Sequence, residues 1–198
     1  MSNARTLADL MGTSTTIPQS KVNLSLAASD LPSGSVLQVK SFTYTGTQSF
    51  NDADEPRMAS DLVVSITPTS STSKMLITAS LAVGFSNSPE WSWYVSREVS
   101  GGSTTDFLGA ASVVGNRMRG YHGGPRDQNG SDMTNEVESY SNTLLDSPAT
   151  TSAINYRVCF QNRWTNTYYF YLNRSGGDSN NGYITRGIST ITVMEIAG

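Results

Sequence analysis

The sequence predicts an all-β fold, an antiparallel β-sandwich of jelly-roll-like type, preceded by a short helix and an extended arm. Three observations lead there. Short segments in which apolar and polar side chains alternate recur from Val36 to the carboxyl terminus, the period of a half-buried strand. Pro, Gly, Ser and Asn separate those segments, as turns require. No helical period of useful length recurs after residue 12.

Residues 1–12, MSNARTLADLMG, place Ala4, Leu7, Ala8 and Met11 at i, i+3, i+4 and i+7. Ser2 or Asn3 is positioned to cap this amphipathic helix and Gly12 to end it. An isolated helix needs about 12–15 residues to be even marginal in water, so its apolar stripe calls for a partner. Residues 13–35 are polar, punctuated by Pro18, Pro32 and Gly34, and read as an extended connector. The expected organisation is an anchor over 1–34 and a β-sandwich head over 35–198.

The strands follow in order. VLQVKSFTYT, from Val36, is rich in the β-branched and aromatic residues that fit a pleated surface. DLVVSITP puts Leu62, Val64 and Ile66 on one face, and Pro68 stops the ladder because it has no donor. KMLITASLAVGF alternates from Met75 to Phe85, with Lys74, Thr78 and Ser80 on the wet or lightly covered side. EWSWYVSREV turns Trp91, Trp93, Val95 and Val99 inward; Arg97 shares that face and must reach a carboxylate, an edge or solvent. INYRVCFQ buries Ile154, Tyr156, Val158 and Phe160 and sets Cys159 on the opposite face. TYYFYLN and GISTITVMEIA supply two more strands, and a less regular one lies between Val137 and Leu145. The total is about eight to nine, the pattern of a sandwich or jelly roll.

Composition narrows the function. Serine, threonine and asparagine make up a third of the 198 residues, charged residues only 15%, and the net charge is -3. Such a surface does not steer toward phosphate backbones or anionic lipid, so neither nucleic acid nor membrane insertion is expected. No apolar run of about 18 residues and no secretion signal is present, and the chain is expected to remain in the cell that made it until released. Cys159 is the only cysteine, which excludes an intrachain disulfide.

Catalytic constellations are weak. His122, the only histidine, sits in the Gly-rich RGYHGGPRDQNG with Arg119, Tyr121, Arg126 and Asp127, without a nucleophile elbow. Asp52, Asp54 and Glu55 cluster in a loop, but sequence cannot set the carboxylate separation that glycoside cleavage needs. DQNGSD and GGDSNNG look like calcium loops yet lack the closing glutamate, and turn chemistry explains both. No cofactor, metal or enzymatic activity is expected. Tyr168, Tyr169 and Tyr171 are candidates for a sugar-stacking platform, though alternating aromatics more often serve core or interface. Residues 46–60 and 109–136 are longer than ordinary connections and read as the working surfaces. Asp52, Asp54, Arg119, Tyr121, His122, Arg126 and Asp127 are their candidate ligand-facing side chains.

The segments LPSGSVLQV, LVVSITPTSSTSKMLI, LLDSPATTSAINYRV and STITVMEIAG, in that order over residues 31–198, resemble the tail-fibre-like virion proteins of aquatic tailed bacteriophages, particularly those of cyanobacteria. The resemblance implies an all-β head, a homotrimer, and a place on the particle after assembly in the host cytoplasm. It carries over no receptor-binding residue. The expected function is a non-enzymatic appendage that attaches to a host surface glycan or protein, joined to another virion protein through Ala4, Leu7, Ala8 and Met11. A capsid or tail decoration protein, or fibre base, is the alternative, and a host-glycan depolymerase the least supported reading.

Overall fold

A computed structural model describes residues 30–51, 58–86, 90–112, 114–124, 133–162 and 169–198. Ala4, Leu7, Ala8, Met11, Asp52, Asp54, Arg126 and Asp127 lie outside the described residues. The chain divides into two units, Met1–Pro32 and Ser33–Gly198, and the strands belong to the second.

That unit is all-β. Its strands are β1 (Val36–Tyr44), β2 (Gln48–Phe50), β3 (Met58–Ile66), β4 (Lys74–Phe85), β5 (Trp91–Val99), β6 (Thr104–Thr105), β7 (His122–Gly124), β8 (Val137–Asp146), β9 (Ile154–Asn162), β10 (Phe170–Leu172) and β11 (Ser189–Ile196). Every pairing between them is antiparallel.

Several strands share one column of the sheet. In the first sheet β4 pairs with β8 along one side, from Met75 to Gly84. On its other side β4 meets β11 over Lys74–Ser80 and then β10 over Val83–Phe85, so β10 and β11 lie in tandem. The next column repeats the break, with β1 against β11 and β2 against β10. Residues 173–188 therefore leave a column and return to it, while the neighbouring column needs only residues 45–47 to pass the same point. The second sheet runs β3, β9, β5, and the free edge of β5 is shared by β7 at one end and β6 at the other.

The two sheets face each other across one hydrophobic cluster. Met75, Ile77, Leu81, Val83 and Phe85 of β4 meet Trp91, Trp93 and Val95 of β5 and Ile154, Tyr156, Val158 and Phe160 of β9, all buried. At the centre Phe50, Phe85 and Phe170 of the first sheet interleave with Trp91 and Phe160 of the second. Their ring centroids stand 4.8 Å apart for Phe50–Phe160, 5.1 Å for Phe85–Trp91 and 5.8 Å for Trp91–Phe170. Such pairs add roughly 0.5–1.5 kcal/mol each beyond the area they bury.

Arg97 takes the first of its expected options. Its guanidinium donates to Asp146 of β8 in the opposite sheet at 2.8 Å, and the Tyr156 hydroxyl donates to the same carboxylate at 2.8 Å. The pair closes one edge of the core, with only 18% and 10% of the two side chains exposed. A second buried carboxylate, Glu195, follows Ile191 and Val193 on the inward face of β11. It accepts from Gln38 Nε2 at 2.6 Å and from the Thr69 amide and hydroxyl at 2.7 Å each. Burial pushes this carboxyl up, but the hydrogen bonds it accepts, those from Gln38 and Thr69 among them, outweigh it and hold the group below its ordinary value.

The long connections are shorter than the sequence suggests. Gln48–Phe50 forms β2 because Phe50 is drawn into the core, and β3 begins at Met58. Among the described residues of 109–136 the chain makes β7 and a 3-10 turn at Met133–Asn135.

Candidate functional site

Of the expected ligand-facing residues, Arg119, Tyr121 and His122 fall in the described chain, and two of them turn their bonding groups toward the protein. The Tyr121 hydroxyl donates to the Leu108 carbonyl and accepts from the Val95 amide at 3.2 Å, while its ring meets Trp93 edge-on at 5.0 Å. Burial pushes its phenol well above the ordinary tyrosine range. Arg119 donates from Nε to the Ala111 carbonyl at 2.9 Å and lies over the Phe107 ring, which stacks on Tyr94 at 4.0 Å. Its own carbonyl accepts from Ser92 Oγ at 2.9 Å and from Gln161 Nε2. Leu108 and Tyr121 each donate a backbone N–H to β5, and so satisfy carbonyls on an edge that would otherwise present unpaired groups. Opposite the core face, Tyr94 is buried beneath Phe107 and Ser92 against the Arg119 carbonyl, while Ser96 and Cys159 are buried beside each other. His122 alone of the three is exposed, its ring 4.7 Å from Tyr140 at the sandwich edge.

The outer face of the first sheet is the open one. The registers align three rows across its four columns. Val39, Met194, Leu76 and Leu145 form an apolar row; Ser41, Thr192, Thr78 and Thr143 form the next; Thr43, Thr190, Ser80 and Ser141 form a third. The last two rows are hydroxyl throughout and carry no charge. Neighbours within them bond at 2.8 Å (Ser41–Thr192), 3.1 Å (Thr78–Thr143) and 3.3 Å (Thr43–Thr190).

Beyond the hydroxyl rows this terrace meets the 173–188 excursion. Two glycines of the chain make room for it: a Cβ on Gly84 would lie 2.2 Å from the Arg174 carbonyl oxygen, and one on Gly187 would lie 2.5 Å from the Ala82 Cβ. The neck is closed by Asn173, buried and left-handed at φ 63°. Its Nδ2 donates to the Tyr44 and Gly46 carbonyls at 2.7 and 2.8 Å, and its Oδ1 accepts from Ser189 Oγ at 2.6 Å. The Ala82 amide in turn donates to that serine oxygen, and the Gly187 amide donates to the Asn173 carbonyl. One side chain therefore spans the break in both interrupted columns.

At its outer end the excursion holds a pocket of about 340 Å³ lined by Asp178, Ser179, Asn180, Asn181, Ile184 and Arg186. Arg186 donates Nε and Nη2 to the two Asp178 oxygens at 2.9 Å each. That hydrogen bond, with the guanidinium charge, keeps the Asp178 carboxyl below its ordinary range. Asn181 Nδ2 donates to the hydroxyl of Tyr183, a side chain 68% exposed. Of the tyrosine run, Tyr169 and Tyr171 stack nearly parallel at 6.1 Å, and Tyr171 is buried, with Arg174 3.8 Å over its ring. Tyr168 lies outside the described residues. Among the described residues no three of His, Cys, Asp and Glu gather as a metal site.

Sequence reasoning missed this excursion because GGDSNNG reads as turn chemistry wherever it occurs. The available signal was the length of chain between TYYFYLN and GISTITVMEIA, rich in Gly and Asn and ended by Gly187. No family model matches the chain, and no curated protein matches it.

Proposed function

We propose that this chain is a non-enzymatic structural protein of a tailed-phage virion, a fibre- or knob-type appendage that presents a jelly-roll sandwich, as a homotrimer, for attachment to the host surface. The strand order supports the sandwich reading. Numbering the eight columns along the chain, the first sheet reads 1-8-3-6 and the second 2-7-4-5. That order supports a jelly-roll reading, the architecture of viral capsid and lectin domains. Fold alone does not assign a task; the task comes from the resemblance of the strand and turn segments to tail-fibre-like virion proteins. Three copies on one mount would gain effective concentration from one another, so weak individual sites suffice.

The decisive experiment removes the chain from the particle. Virions lacking it assemble but fail to adsorb, and restoring the chain restores adsorption; normal adsorption without it refutes attachment. Leu7→Asp and Met11→Asp variants yield a folded head that no longer joins the particle, whereas normal incorporation of both would place the anchor elsewhere. One observation favours a decoration or fibre-base role instead: Val36, Val39 and Leu145 are each more than half exposed on the outer face of the first sheet. In that case particles without the chain adsorb normally and lose resistance to heat or osmotic shock.

A further inference from the structure

We infer that the pocket of the 173–188 excursion binds an uncharged hexose unit of a surface glycan. The inference rests on the attachment reading above and gives it a location. Its volume of about 340 Å³ falls at the small end of the roughly 300–1,000 Å³ usual for ligand sites, which suits a sugar ring better than an extended chain. Its lining suits a polyol. Asn180 offers a carbonyl acceptor and an amide donor, the pairing that adjacent sugar hydroxyls require, and Asn181, whose amide donates to Ser179 Oγ and the Tyr183 hydroxyl, adds its side-chain carbonyl as an acceptor. Arg186 uses only two of its five N–H groups on Asp178, and the carboxylate oxygens keep lone pairs free of that contact.

Charge decides the class of sugar. Asp178 and Arg186 neutralise each other within the pocket, so neither a uronate nor an amino sugar finds an unmatched partner there. The same pairing answers the calcium-loop look of GGDSNNG, because the only carboxylate of that run is already committed to a guanidinium. Tyr183 supplies an exposed ring beside Asn181 for the apolar face of a pyranose. The Asn173 neck and the 2.6 Å bond from the Gly177 amide to the Thr134 carbonyl hold the excursion in place, which lowers the ordering cost of binding.

The test titrates the purified full chain with uncharged glucose-, galactose- and mannose-based oligosaccharides, followed by NMR and on a glycan array. Wild type binds at least one of them. The Asn180→Ala/Asn181→Ala double variant binds at least tenfold more weakly with an unchanged unfolding midpoint, while Thr78→Val/Thr143→Val on the hydroxyl terrace binds as wild type does. Absence of binding across the panel, or equal binding by wild type and the asparagine variant, overturns the inference. Particle assays separate it from the attachment reading. Full adsorption by virions carrying the asparagine variant, when virions without the chain fail, refutes the pocket alone. Full adsorption by virions without the chain refutes attachment, and the titration still judges the pocket.

Discussion

Asn173→Ala is the most informative single change in the head. It deletes two hydrogen bonds donated to the Tyr44 and Gly46 carbonyls and one accepted from Ser189, in a site only 1% exposed. At about 1 kcal/mol each these amount to about 3 kcal/mol, because the abandoned partners are left without replacement. Alanine also resists the left-handed backbone at φ 63° by about 1 kcal/mol. The expected loss is therefore about 4 kcal/mol, read as a fall in unfolding midpoint of about 8–16 °C for a domain of this size. Urea unfolding followed by tryptophan fluorescence measures it directly. Asn173→Gly loses the bonds without the backbone penalty and falls between wild type and alanine. A loss below about 1 kcal/mol for the alanine variant would falsify the assignment of the neck to this side chain.

Other perturbations probe different parts of the sandwich. Asp146→Ala leaves Arg97 and the Tyr156 hydroxyl without their shared acceptor and costs about 3 kcal/mol in urea unfolding. Glu195 is held below its ordinary value, so its contribution is present above the usual glutamate range and drains away as pH falls through the lower folded value. Unfolding free energy measured from pH 7 down to pH 2 shows that acid limb in wild type and a flatter profile in Glu195→Gln. Gly84→Ala drives a methyl into the Arg174 carbonyl, and hydrogen exchange over residues 173–188 rises while the β4–β8 ladder stays protected.

Alternation carried most of the fold. In β4, β5 and β9 the inward residues read from the sequence are buried, save Val99, which packs against the core only partly buried, since a side-chain period of two leaves a single way to hide so many apolar groups. Arg97 was legible as a problem, and its solution, Asp146, lies in another sheet that local pattern does not connect to it. Glu195 continues the inward alternation of Ile191 and Val193, yet a carboxylate in that position has no local reading until the turn bearing Thr69 supplies donors. Tyr94 alternates with the inward Trp93 and Val95, and nothing in that alternation signals its burial. Phe107 covers it, from a loop whose path depends on contacts distant in sequence. The excursion is illegible for the same reason: TYYFYLN and GISTITVMEIA read as two strands, and only the pairing partners reveal them as one interrupted column.

The interruption makes the head modular. Asn173 and Gly187 are fastened to each other and to β1 and β4, and the close approaches of Arg174 to Gly84 and of Gly176 to the Phe85 carbonyl place the excursion's demands on the sheet at its base. Doubling the intervening length adds only about 0.6 kcal/mol of closure entropy. The neck thus has the form of a socket, and the stretch between its two ends, away from that base, is where length and chemistry can change with least disturbance to the surrounding pairing.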